Sequence, residues 1–212
     1  MERRLFCLGL AAVLLLTMAT MTMGIGVLGG TDLMYAPATD TLNPNNLGIA
    51  VNFREGSLSY FNFDFGLAQD LELGLAAFNY PHETKLSIRG KYRLLREHGE
   101  SPGLAIGIQD IGLDEISPYI VLSKTFPEAG FKGYLGAGGG SFDGIFAGLD
   151  KTFYTERSSR NESRLNKVDL YLEADTHGLN VGTKLGIGSQ TKINFGLVDM
   201  RDWILGVTFL LK

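Results

Sequence analysis

Charged and apolar side chains alternate in one segment of the chain, and these charges have the clearest chemical potential. Between Thr84 and Leu95 every second residue up to Arg93 is basic or polar, and most residues between them are apolar. A period of two places the two sets on opposite faces of a β-strand. Acidic residues on preceding segments would face the same way if the segments pair as hairpins. The predicted charge cluster comprises Asp64, Glu72, Lys85, Arg89, Lys91 and Arg93.

The same cluster permits two roles inside a barrel. Its charges could form a salt-bridge network that fills the interior, or they could line a path for a polar solute. Both roles require the side chains to point into a lumen, because unpaired charges would not survive facing lipid. We expect Arg89 and Arg93 to lie within reach of an acid such as Glu72 on the adjacent strand.

Residues that support enzyme chemistry are not arranged for it. His82, His98 and His177 fall in predicted turns without metal-ligand spacing or a placement suited to a Ser-His pair. Cys7 is the only cysteine, and it lies in the N-terminal apolar run. The glycine-rich segment 136–141 is followed by a strand, whereas a phosphate loop needs a helix. We therefore predict no enzyme, no cofactor and no metal site, with an outer-membrane hydrolase as the least favoured alternative.

The N-terminus has the pattern of a secretory signal. A short basic region, Met1–Arg4, precedes an apolar run from Leu5 to about Met23 that ends among small residues without a basic flank. This favours a signal peptide over residues 1–26 rather than a membrane anchor. Its removal would take away two basic groups and one acidic group, so the formal charge of −4 would become −5. An acidic chain without a basic stripe argues against nucleic acid as a partner.

The rest of the chain divides into an N-terminal arm over residues 27–46 and a strand-rich region over residues 47–212. The arm shows no period, whereas alternation continues from Leu47 almost to the last residue. Short turns between the segments require antiparallel pairing in an up-and-down meander. The predicted strands are 47–53, 57–67, 71–79, 84–95, 103–111, 116–126, 131–138, 144–154, 167–175, 178–187, 191–198 and 201–211.

About twelve antiparallel strands would close into a barrel, because an open sheet leaves two unpaired edges. Strand length matches the roughly 9–11 residues that cross a membrane. Large aromatics lie near strand ends, as interfacial girdles require. Inner positions are rich in glycine, which a soluble surface rarely uses inside strands; on alternation alone, we expect Gly182→Ser to be tolerated. The inner-face glycines are Gly66, Gly74, Gly107, Gly136, Gly148, Gly182, Gly186 and Gly206.

We therefore predict an all-β chain that forms a single antiparallel up-and-down transmembrane β-barrel of about 12 strands in a bacterial outer membrane. Outer-membrane lipid and the barrel-assembly machinery are the expected partners. One feature departs from the usual pattern. A periplasmic N-terminus would place the two longest connections, 96–102 and 155–166, on the periplasmic side, where loops are normally short. Either the strand count is wrong by one or the barrel is atypical.

Three segments carry a family resemblance. They are Pro102–Gly112, Gly144–Asp150 and Leu172–Gly182, with a looser match at Pro37–Leu42 before the first strand. In order and spacing they resemble the exopolysaccharide-associated outer-membrane barrels of the YjbH type. The resemblance implies an outer-membrane location and a link to polysaccharide export, with export components as partners, and it supplies no catalytic residue.

Two functions therefore remain open. The resemblance favours a non-enzymatic barrel that supports envelope or exopolysaccharide production or secretion. The mixed-charge, glycine-rich inner face favours a small porin-like diffusion channel for polar solutes.

Overall fold

The computed structural model describes residues 26–27, 29–154 and 165–212. Almost all of the predicted signal peptide and most of the connection 155–166 lie outside the described residues. Within the described part of the chain, no helix is long and apolar enough to cross a membrane.

Twelve β-strands form one closed antiparallel barrel in which each strand pairs with its neighbours in sequence, and β1 pairs with β12. This confirms the predicted fold class. Strands begin where alternation begins and end at turns rich in glycine, aspartate and proline. The strands are β1 Leu47–Arg54, β2 Leu58–Ala68, β3 Leu71–Asn79, β4 Thr84–Leu95, β5 Gly103–Ile111, β6 Ser117–Phe126, β7 Phe131–Gly138, β8 Gly144–Tyr154, β9 Leu165–Ala174, β10 Leu179–Ile187, β11 Thr191–Val198 and β12 Asp202–Leu211.

The outer wall of the barrel is apolar. Leu75, Leu86 and Ile145 point outward and expose 54%, 69% and 67% of their surface. Their neighbours along each strand point inward and are mostly buried, as the alternation predicts. A closed barrel with an apolar exterior and a polar interior is the arrangement of membrane barrels.

The two ends of the barrel differ. We call the end where β1 begins and β12 finishes the terminal end, and the opposite end the turn end. No connection at the turn end is longer than the five residues 112–116, whereas the terminal end carries the longer connection 96–102. Because the barrel closes with twelve strands, the predicted strand count is correct. It is the distribution of connections that is atypical for a barrel whose termini face the periplasm.

The turn end is closed by aromatic side chains. The connection between β7 and β8 forms a short 3-10 turn, Gly140–Phe142. Phe142 folds into the barrel mouth, with ring centroids 5.3 Å from Tyr119 and 5.4 Å from Phe146. The hydroxyl of Ser141 donates to the carboxylate of Asp110 at 2.8 Å, which ties this turn to the end of β5.

Candidate functional site in the barrel lumen

A segment before β1 lies inside the barrel. Residues 26, 27, 29–34, 36–39, 41 and 42 are buried, and we call the described residues of the segment 26–42 the plug. Most of its apolar side chains, including Leu33 and Met34, pack against inward residues of the wall in one cluster, and Leu42 packs against Ala50 and Leu210 in a second. Alternation identifies this segment only as an arm, because a segment without a period carries no signal of where it packs.

Glu72 on β3 holds two distant points of the plug. Its carboxylate accepts hydrogen bonds from the backbone N–H of Thr31 at 3.1 Å and of Leu42 at 2.7 Å. It also accepts from the Thr31 hydroxyl at 3.2 Å. Buried backbone N–H groups outside regular structure need such acceptors, since leaving them unpaired costs about 1–3 kcal/mol each. Glu72 therefore accepts the backbone hydrogen bonds that a paired β-strand would accept if these residues lay in a sheet.

Glu173 on β9 holds the opposite side of the plug in the same way. Its carboxylate accepts from the backbone N–H of Met34, from that of Tyr35 at 3.0 Å and from the Asn180 side chain at 3.4 Å. Two buried glutamates on β3 and β9 thus bind the plug backbone from opposite walls.

The plug carries its own charge into the lumen. Asp32 accepts a hydrogen bond from Lys91 Nζ on β4 at 2.7 Å, and both side chains are only 4% exposed. The same carboxylate oxygen accepts from the backbone N–H of Ala38 at 2.9 Å. Lys184 on β10 donates to the backbone carbonyls of Asp32 and Leu33 at 2.7 and 2.6 Å. Two lysines from opposite walls therefore enclose Asp32.

Arg89 forms a buried ion pair within the wall. Its Nη2 lies 2.5 Å from Asp64 Oδ1, and the Asp64 side chain is completely buried. The pair packs tightly against Gly29 of the plug: a Cβ placed on Gly29 would overlap the Arg89 guanidinium. Gly29 also has φ +100°, which side-chain-bearing residues rarely adopt. Asn62 completes this region by donating to the carbonyl of Val27 at 2.7 Å.

The structure brings four residues of the predicted cluster together and separates two. Asp64, Glu72, Arg89 and Lys91 lie buried around the plug. Arg93 lies towards the terminal end, where it pairs with Asp70 at 2.5 Å. Lys85 lies at the turn-end rim and pairs with Asp114 at 2.8 Å. Arg89 pairs with Asp64 rather than Glu72, since Glu72 faces Lys91 across the β3–β4 ladder, with 3.8 Å between charged atoms.

Charged residues also fix the plug where it leaves the lumen. Lys132 on β7 lies 3.0 Å from Asp40, and the hydroxyl of Thr39 contacts that of Ser123. Nearby, in the turn between β2 and β3, partial burial opposes ionisation of Asp70, but hydrogen bonds from Arg96 and Arg93 outweigh it and hold its pKa below the usual range. The terminal end is therefore an ionised rim.

Inward glycines leave room for the plug. A Cβ on Gly66 would lie 2.0 Å from the backbone oxygen of Asn43, and one on Gly148 would lie 2.4 Å from Leu33 Cδ1. On Gly196 it would lie 2.8 Å from the sulfur of Met34. The abundance of glycine on the inner face was visible in the sequence, but these three contacts were not, because they form only in the folded barrel. Other inner glycines leave room for side chains of the wall itself: a Cβ on Gly107 would lie 2.3 Å from Tyr119, and one on Gly136 would lie 2.2 Å from Phe146.

Gly66→Ala should weaken the seat of the plug by about 1–3 kcal/mol, the usual cost of overpacking. The Gly66 backbone has an ordinary φ, so the effect would come from clashes where the plug ends, 2.0 Å from the backbone oxygen of Asn43 and 3.0 Å from that of Leu42. Denaturant unfolding of the refolded protein measures it. Gly90→Ala is the matched control, because its Cβ would meet nothing closer than Leu73 Cδ2 at 3.4 Å. Equal stability of the two variants would contradict the assigned position of the plug.

Little free space remains at the centre of this region. A cavity of about 10 Å³ lies between Asp32, Glu72, Arg89, Lys91 and Tyr119. That volume holds at most one water molecule. The arrangement is that of a largely filled lumen in which the plug pairs with Lys91 and Glu72, while Arg89 pairs with Asp64 of the wall.

The three histidines lie outside the lumen. His82, His98 and His177 are in connections between strands, away from the inner wall. Among the described residues, no group of three or more histidine, cysteine, aspartate or glutamate side chains could hold a metal ion. The candidate site that the hydrogen bonds and ion pairs define is the contact between plug and wall.

Comparisons with known proteins show the fold. No protein-family model matches the chain, and no curated protein matches it. Among solved structures, the chain is similar to the KdgM porin, with a TM-score of 0.53 and 11% identity over 77% of this chain and 98% of that one. A further match is the N-terminal β-barrel domain of Pseudomonas aeruginosa OprF, with a TM-score of 0.27 and 16% identity over 80% of this chain and 100% of that domain. The barrel is thus of the kind seen in the KdgM porin.

Proposed function

We propose that this chain is a non-enzymatic outer-membrane β-barrel, closed at rest by its own plug, that supports the production or secretion of envelope polysaccharide. The observation that carries the proposal is the plug itself. Its backbone is held by Glu72 and Glu173, and its one buried carboxylate, that of Asp32, is held by Lys91. A lumen filled in this way is suited to a structural or anchoring role rather than to free diffusion.

The outer-membrane location is supported by three features. The barrel is closed, its exterior is apolar, and the sequence begins with the pattern of a secretory signal. Outer-membrane lipid would surround the apolar wall, and the barrel-assembly machinery would insert the chain. The KdgM porin supports the fold only, because its identity to this chain is 11%.

The link to polysaccharide is supported by the sequence resemblance to YjbH-type barrels. The matching segments fall on β5, β8 and the β9–β10 hairpin, which form the wall on either side of the β7–β8 connection. Polysaccharide-export components are the partners that this resemblance implies.

A small diffusion channel is the second candidate, and the charged, glycine-rich inner wall favours it. It requires the plug to leave, since the plug occupies the space between Lys91 and Lys184. The two candidates differ in what the intact protein does in a membrane.

Planar-bilayer recording of the refolded mature chain separates them. We expect no stepwise conductance, because residues 29–42 are packed inside the lumen. A host strain that lacks the protein should lose surface polysaccharide, and the gene restored in trans should return it. Steady open channels from the intact chain, with unchanged polysaccharide in the deleted strain, would favour the diffusion channel instead.

A further inference from the structure

We propose that the inner wall beneath the plug is a binding site for carboxylates, and that Asp32 occupies it as an intramolecular ligand. This inference goes beyond the proposed function and does not rest on it. A barrel with no link to polysaccharide would have the same wall.

The wall supplies a charged donor to the Asp32 carboxylate. One oxygen of that carboxylate accepts from the wall's Lys91 Nζ at 2.7 Å, and the same oxygen accepts from the backbone N–H of Ala38 within the plug. Lys184 reaches the same residue from the opposite wall, through its backbone carbonyl. Charge-assisted hydrogen bonds of this kind are the usual means by which proteins bind carboxylates. In this barrel the ligand is part of the chain.

The charges of wall and plug are complementary. The plug carries only acids, Asp32 and Asp40, and the wall is slightly richer in basic than in acidic groups. Below the Arg54–Asp202 rim pair, the described strands direct seven basic and six acidic side chains inward. The basic set is Arg89, Lys91, Arg93, Lys132, Lys167, Lys184 and Lys192, and the acidic set is Asp64, Glu72, Asp110, Asp150, Asp169 and Glu173.

Each acid of the plug pairs with a basic group of the wall, Asp32 with Lys91 and Asp40 with Lys132. With the plug gone, Lys91 would keep the carboxylate of Glu72, 3.8 Å away, and Lys132 that of Glu97, 4.0 Å away. Each would lose the closer of its two carboxylates, and a carboxylate from solution would replace the lost one.

The class of ligand follows from this replacement. A small organic carboxylate can take the hydrogen bond that Asp32 accepts, and a neutral solute of the same size cannot. Glucuronate and glucose are a suitable pair of probes, because they differ in the carboxylate and share the sugar ring.

The test is competition for the empty lumen. A barrel that lacks residues 27–42 keeps the contacts of Asn45 and Asn46 with Gly66. A dye-labelled peptide of residues 27–46 should bind to it with a saturable change in fluorescence anisotropy. The Asp32→Asn peptide should bind about ten- to a hundredfold more weakly, as expected for loss of a hydrogen bond between charged groups. Glucuronate should displace the wild-type peptide, and glucose at the same ionic strength should not.

Wall variants give the matched control. Lys91→Gln should abolish the difference between the wild-type and Asp32→Asn peptides. Lys124→Gln should leave it unchanged, because Lys124 alternates with the inward Ser123 and lies on the outer side of β6. Equal binding of the two peptides to the unaltered wall, or equal displacement by glucose and glucuronate, would overturn the proposal.

If the shortened chain does not fold, the same test can be made with the full chain, cut after it has folded. Residues 43–45 are exposed, so a protease site placed after Asn43 can be cut once the full chain has folded around its plug. The labelled plug should then leave faster in glucuronate than in glucose. Equal release in the two solutes would also overturn the proposal.

Discussion

Lys91→Met is expected to destabilise the barrel by about 3–5 kcal/mol, the typical cost of removing one partner of a buried ion pair. The substitution keeps most of the volume and removes the charge. It leaves Asp32 and Glu72 as buried carboxylates, whose charged atoms lie 2.7 and 3.8 Å from Lys91 Nζ in the intact protein. Unfolding in denaturant, followed through the fluorescence of Trp203, measures the loss.

The second substitution of a double-mutant cycle is Asp32→Asn. Added to Lys91→Met, it should recover part of the loss, since an amide oxygen still accepts from Ala38 N–H and no longer needs an ammonium. A coupling of about 0.5–3 kcal/mol is expected for groups in direct contact. Lys124→Met on the outer side should stay within about 0.5 kcal/mol of the wild type. Strictly additive losses would mean that Lys91 and Asp32 do not interact.

The barrel could be predicted because its signal is local. Each strand shows alternation within its own residues, and each turn has its own turn-forming residues, so strand number and the direction of side chains follow from short windows. Arg89 and Lys91 were placed on the inner face by this rule. The same rule could not choose their partners, because Asp64 and Glu72 share that face and only the register of β3 against β4 decides between them.

The plug could not be predicted, because its contacts join residues far apart in sequence. Lys184 donates a hydrogen bond to the carbonyl of Asp32, 152 positions earlier in the sequence. Glu173 accepts one from the backbone N–H of Met34, 139 positions earlier. Two signals were present without a clear meaning: an aperiodic segment with buried-type residues, and glycines on the inner face. Alternation also misses close contacts between neighbouring strands: a Cβ on Gly182 would lie 2.4 Å from the hydroxyl of Tyr171, its partner across the β9–β10 ladder, so Gly182→Ser requires that side chain to move.

Leu75→Arg should cost about 2–4 kcal/mol and block stable insertion, because a cation near the middle of the bilayer must leave water without a partner. Leu75 lies at the centre of β3, and its side chain is 54% exposed on the outer wall. Its neighbours across the sheet are Phe63 and Ile88, which are also exposed outward. The arginine would therefore enter a continuous apolar band.

The measurement is the fraction of refolded protein that migrates faster unboiled than boiled in detergent gels. Leu75→Met keeps an apolar side chain of similar volume and should behave as the wild type. Phe53→Arg, one residue from the end of β1, should cost only about 0–1 kcal/mol, because the penalty falls towards the interfaces. If Leu75→Arg inserted as well as Phe53→Arg, the apolar wall would not face hydrocarbon. The outer-membrane assignment would then fail, while the barrel and its plug would remain.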